Sequence, residues 1–196
     1  MIMCFTYDEL VNYLLKKYGH AKYDYFVNEN CASINQNVRR TSEGLFCHHI
    51  DEDKAILLSD SSHAQKNPFS YQKANRLVYC NFLEHLLLHI LIIEKPKDIN
   101  ANADELQGVG GAVNFICKQL NDLYSGCILS QEWLNKAFSL VEDYYSIYIS
   151  MLKKLWVDIS NDAILSFMYR KIDLARGGKK NVYDKILNDL NKEIDK

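Results

Sequence analysis

The sequence predicts an α+β fold, mostly helical with a small strand–loop–strand–helix module, and three observations carry that prediction. Apolar residues recur at spacings of three and four over 7–18, 82–94 and most of the chain beyond residue 104. Two short apolar runs, Gly44–Ile50 and Leu77–Cys80, have strand length and polar or acidic residues close by. Thr6-Tyr7-Asp8-Glu9 and Asn81-Phe82-Leu83-Glu84 both read as capping boxes, a polar cap followed three residues later by a carboxylate. With 196 residues, 48% hydrophobic and 24% charged, the chain can bury a sizeable core and is neither disordered nor of low complexity. Its 23 Lys+Arg against 25 Asp+Glu exclude the broad positive field of a non-specific nucleic-acid coat, so any such contact must come from local patches.

Element by element, the first capping box starts a helix over about 7–18 with Leu10, Val11, Leu14 and Leu15 on its apolar face. Residues 19–42 are mixed and close an N-terminal helical region over 1–42. Gly44–Ile50 is a buried strand, and 51–74, with Ser59-Asp60-Ser61-Ser62 and Asn67-Pro68, is a long loop of the length that tends to carry function. Leu77–Cys80 is the second strand. The helix capped by Asn81 runs to about Glu94, where Lys95-Pro96 ends it, so the module spans 43–95. The region 96–196 is helical near 105–125, 130–158, 161–175 and 181–194, with breaks at Gly126, Ser160-Asn161 and Gly177-Gly178.

Four of the six histidines fall in two pairs inside that module, His48-His49 and His85-x-x-x-His89. Helical positions four apart lie about 6 Å apart along the axis on one face, so His85 and His89 can ligate one cation. Adjacent strand residues point to opposite faces, so only one of His48 and His49 can join them. A helix rich in Leu and Ile has no packing reason to set two imidazoles on one face. Glu84 is explained by its cap, with a second role beside a metal left open.

Cys47-His48-His49-Ile50, Asn75-Arg76-Leu77-Val78-Tyr79-Cys80 and Glu84-His85-Leu86-Leu87-Leu88-His89 together resemble the HNH, or ββα-metal, endonuclease superfamily. The ligand pattern is closest to the nuclease domains of DNA-cleaving colicins. The resemblance implies that His48, His85 and His89 hold one divalent ion, with Mg²⁺ the working ion and Mn²⁺, Zn²⁺ or Ni²⁺ acceptable. It implies that His49 is the general base and that Asn75 braces it. The activity implied is phosphodiester hydrolysis by an endonuclease, on DNA rather than RNA. Hydrolysis needs a water deprotonated and charge neutralised on phosphate and leaving oxygen, and a near-neutral imidazole beside a dication suits both needs. A catalytically inactive scaffold that binds or inhibits a partner in a phage or defence setting is the rival reading.

Cys47 and Cys80 lack the CxxC spacing of a zinc knuckle and read as buried thiols. His63 has no spacing partner and reads as a solvated loop residue. Gly108-Val109-Gly110-Gly111 lacks the GK[ST] ending of a phosphate loop and suits close packing at a helix start. Arg39, Arg40, Lys73 and Arg76 are the cations nearest the site in sequence, each open to a phosphate contact or to solvent. Arg170–Lys185 is the most basic stretch, and Tyr144, Tyr145, Tyr148 and Trp156 can serve either a core or a homodimer. Six cysteines without pairing spacing, no leader and no apolar run near 20 residues give the expectation of a reduced, cytoplasmic protein that does not enter a membrane.

Overall fold

Helix α1, Tyr7–Tyr18, forms where the capping box predicts: Thr6 Oγ1 accepts from the Glu9 backbone, and Glu9 accepts from the Thr6 N–H at 2.8 Å. It buries Leu10, Val11 and Leu14, and Gly19 ends it at φ 79°. The computed structural model describes residues 5–95, 108–158 and 183–195. After 3-10 turns at Gln36–Val38 and Thr41–Glu43, strand β1 runs over Phe46–His49 and pairs antiparallel with β2, Leu77–Cys80. Between them lie a 3-10 turn at Ile50–Asp53, the one-turn helix α2 at Ser61–Ala64, and further 3-10 turns at Phe69–Gln72 and Ala74–Arg76. The long loop of the sequence reading is therefore a chain of tight turns.

The register of the two strands decides which histidine goes where. His48 pairs with Val78 and His49 with Leu77, and directly opposite residues share a face. Val78 and Cys80 join the main core beneath α1 and helix α3, Phe82–Glu94. Leu77 and Tyr79 face a smaller cluster with Ala21, Val38 and Leu45. His48 thus points to the helical side and His49 to the other. Helix α3 starts where predicted, with the Asn81/Glu84 capping box complete.

The C-terminal part begins with a π-helical segment, Gly111–Cys117, that continues into α4, Lys118–Tyr124. The helical pattern read over 130–158 is broken into α5, Glu132–Ser139, and α6, Tyr145–Asp158. Between them lie the buried Val141 and a 3-10 turn at Glu142–Tyr144; the Val141 carbonyl accepts from the Tyr144 N–H at 2.9 Å and from the Tyr124 hydroxyl at 2.7 Å. Helix α7, Asp184–Ile194, packs on α6. One hydrophobic cluster takes residues from 1–42, 43–95 and 96–196 alike. Tyr148 is core, its hydroxyl donating to Asn121 Oδ1 at 2.6 Å, and Trp156 packs against that core, whereas Tyr144 is exposed. The expected helix at 161–175 and most of Arg170–Lys185 lie outside the described residues. No helix among the described residues is long and apolar enough to cross a membrane.

Candidate metal centre

The His85/His89 face of α3 is brought against His48 of β1 by the strand pairing and the α1–α3 packing. The ring centroids of the three imidazoles are 5.3 Å (His48–His85), 5.2 Å (His48–His89) and 5.0 Å (His85–His89) apart. One nitrogen from each ring lies within 4.8 Å of the others. These are the three residues that the sequence marks as candidate ligands.

Hydrogen bonds around the triad set the tautomers that the His48 and His89 rings take when neutral. The Tyr7 hydroxyl donates its one proton to the Ile50 carbonyl at 2.9 Å, so it accepts from His48 Nε2 at 3.1 Å, and His48 Nδ1 is left as the lone-pair nitrogen. Burial, with the carboxylates of Asp53 and Glu52, pushes the Tyr7 phenol far up, so its proton stays in place. His89 Nδ1 faces the Gly108 carbonyl at 3.1 Å and must donate to it, which leaves Nε2 as the lone pair. His85 Nδ1 and His48 Nδ1 are buried without a hydrogen bond, an unusual state for interior polar atoms that points to an absent partner. Burial lowers His89 to about 4 and holds His85 well below the ordinary imidazole value, with the neighbouring rings adding to the effect. Neutral rings with free lone pairs are the form that ligates a cation. By donor chemistry, three imidazoles suit a borderline transition ion better than Mg²⁺, which demands oxygen.

Glu52 is the member that the sequence reading missed. Its Oε2 lies 3.1 Å from His48 Nδ1 and 3.8 Å from His89 Nε2, with its side chain only 15% exposed. The acidic run Asp51-Glu52-Asp53 after the strand was the one available signal, but nothing in its spacing singles out the middle residue.

His49 sits on the other face, as the alternation of β1 requires. Gln72 Nε2 donates to the Leu58 carbonyl at 3.1 Å, so its Oε1 accepts from His49 Nε2 at 2.8 Å, and His49 Nδ1 carries the lone pair. The ring packs on Tyr25, with centroids 4.4 Å apart, and burial lowers it to about 4. The brace expected of Asn75 is therefore made by the buried Gln72; Asn75 is exposed in the turn before β2. The HNH resemblance puts the brace at Asn75, but the 3-10 turn at Phe69–Gln72 brings Gln72 to the ring instead.

A cleft of about 480 Å³ opens over these groups, and His49, Glu52, His85 and His89 all line it. At its wall stands His63, with Nδ1 3.0 Å from Asp60 Oδ1, so the isolated loop histidine of the sequence belongs to the site's surroundings. Phe115, 57% exposed, is a further wall residue. Gly111 lies flat on the His89 ring: a Cβ there would stand 2.6 Å from Nδ1 and 2.9 Å from Nε2. The glycine cluster thus serves close packing, as its sequence suggests.

The other expectations fare variously. Arg40 is bound by Glu43 at 2.6 and 2.5 Å and lies over Tyr79, Lys73 pairs with Asp24 at 3.0 Å, and Arg76 holds Asp51 at 2.6 Å through two nitrogens. Arg39 is exposed. Cys47 and Cys80 are free thiols pushed up by burial, Cys47 to about 12. Glu84 completes its cap and also accepts from Lys17 at 2.6 Å and Tyr18 at 2.9 Å, which accounts for its burial away from the triad. Compared with family models, curated proteins and solved structures, the chain matches none.

Proposed function

We propose that this protein is a divalent-metal-dependent phosphodiesterase that cuts nucleic acid internally, DNA in preference to RNA, in the manner of HNH endonucleases. The observation that carries the reading is the meeting of His48, His85 and His89 with lone-pair nitrogens of His48 and His89 turned to a common point. A separately held, neutral His49 on the same cleft supports it.

In this reading His48, His85 and His89 hold the ion, one of the Mn²⁺, Zn²⁺ or Ni²⁺ kind by their donor chemistry, with Mg²⁺ the hard-ion alternative. When bound, the ion supplies positive charge to the phosphate and the leaving oxygen. His49, neutral at pH 7 with its one ring proton on Nε2, accepts a second at Nδ1 from a water, while Gln72 keeps the ring from turning. The buried wall formed by Tyr25 and Gln72 removes competing orientations of the base.

The test is incubation of supercoiled plasmid, single-stranded DNA and RNA with Mn²⁺, Zn²⁺, Ni²⁺ or Mg²⁺, beside a chelator control and His49→Ala. Nicking that needs the ion and falls about 10²–10⁴-fold in His49→Ala is the expected outcome. Cutting at full rate by His49→Ala would remove His49 from the role of base, and no cutting with any ion would remove the nuclease reading.

A second reading has one specific observation in its favour. Arg40, Lys73 and Arg76, three of the four cations that the sequence offers for phosphate contacts, are held by Glu43, Asp24 and Asp51 rather than offered to a phosphate backbone. A metal-bearing scaffold that binds a partner without cutting it would show the same triad, an intact metal affinity and no cleavage.

A further inference from the structure

Three acidic residues follow β1 in a row, and their surroundings divide them. Asp51 is held by Arg76 at 2.6 Å and by Lys54 at 2.7 Å. Asp53 is held by Lys95 at 2.7 Å. Glu52, between them, has no Lys or Arg within ion-pair distance among the described residues; its partners there are His48 and His89. The 3-10 turn at Ile50–Asp53 produces this division, since its three residues per turn send consecutive side chains in different directions.

The atoms that Glu52 meets are the ring nitrogens left over by the other bonds of the two histidines. Tyr7 holds His48 at Nε2 and the Gly108 carbonyl holds His89 at Nδ1, so His48 Nδ1 and His89 Nε2 are the nitrogens turned to Glu52. One carboxylate oxygen lies 3.1 Å from the first and 3.8 Å from the second, with the side chain only 15% exposed. A buried carboxylate with no Lys or Arg beside it among the described residues, converging with two imidazole nitrogens, is a donor set that a cation completes.

We infer that Glu52 is a fourth protein ligand, completing a three-histidine, one-carboxylate metal centre; this rests on the His48/His85/His89 metal reading proposed above. The carboxylate meets the triad at its His48–His89 edge, and Glu52, His85 and His89 all line the cleft. Its charge brings a bound dication down to a net single positive charge. The mixed nitrogen and oxygen set favours Zn²⁺, Co²⁺ or Mn²⁺ over Mg²⁺.

The experiment is Co²⁺ titration of the full-length chain, read by the visible absorption of the bound ion and by competition with a chromogenic chelator. Wild type, Glu52→Gln, Glu52→Asp and His89→Ala are compared, with the circular dichroism of each metal-free protein as the check on folding. Glu52→Gln keeps the side chain's size and is expected to weaken Co²⁺ binding by more than about 100-fold and to change the spectrum, as loss of a charged ligand does more than the 10–100-fold loss seen for outer partners. Glu52→Asp, one methylene shorter, falls between. If wild type binds Co²⁺, His89→Ala does not, and Glu52→Gln matches wild type in affinity and spectrum, Glu52 is no ligand while the triad stands. If wild type itself takes up no Co²⁺, the triad reading fails and this inference fails with it.

Discussion

At the scale of single residues, the candidate site works through who holds each ring nitrogen. Gly111 gives the sharpest case, because the His89 ring lies where a side chain at 111 would be. Gly111→Ala is expected to displace the ring, loosen its bond to the Gly108 carbonyl and lower metal affinity at least about tenfold, the scale on which outer partners act. Gly110→Ala, whose Cβ would meet only Asn114 at 4.0 Å, is expected to leave it unchanged. A chelator competition on the two variants checks this, and equal affinities would show that the ring does not depend on the glycine. His48, His49, His85 and His89 were legible in the sequence because strand alternation and the i, i+4 helical spacing are local rules. Glu52 and Gln72 were not, since both reach the site from 3-10 turns whose direction depends on what they pack against. Tyr7 stands in the sequence only as a residue of the first capping box, and nothing local tells that its hydroxyl meets a histidine 41 positions away.

At the scale of elements, the module was legible where its signals are self-contained. The capping boxes mark the observed starts of α1 and α3, and the two apolar runs became β1 and β2. Asn81→Ala removes the side chain that accepts from the Glu84 backbone at 2.9 Å, and it is expected to cost about 1 kcal/mol, read as a lower denaturation midpoint at unchanged slope. A loss within error of zero would mean that Glu84, through Lys17 and Tyr18, fixes the start of α3 by itself. The break between α5 and α6 was not legible, because the apolar spacing runs on through it, while part of what holds the turn, the Tyr124 hydroxyl on the Val141 carbonyl, comes from 17 residues earlier. The π-helical stretch Gly111–Cys117 was equally hidden, although such segments are common beside functional sites.

At the scale of the molecule, the candidate metal centre and its surroundings join parts from distant stretches of chain: Tyr7 from α1, His48 and Glu52 from β1 and its turn, His85 and His89 from α3, and Gly108 at the head of the C-terminal part. An ion bound there ties the folded state together and adds about 2.7 kcal/mol at a concentration a hundred times its dissociation constant. The same rings govern response to acid. His49 and His89 are lowered by burial to about 4, whereas an unfolded histidine titrates near 6.5. Between those values the unfolded chain binds more protons than the folded one. The stability these rings contribute is therefore complete above about pH 6.5 and is lost as pH falls toward 4, at roughly 3 kcal/mol for each ring. Metal-free protein is expected to unfold along that descent. Zn²⁺ or Co²⁺, by holding the ligand nitrogens against protons, is expected to move the unfolding midpoint to lower pH and to raise the melting temperature at pH 7. Thermal melts with and without the ion across pH 4–8 measure both effects. Coincident curves would mean that the histidines meet for packing alone, since an ion that binds only the folded site cannot leave its stability unmoved.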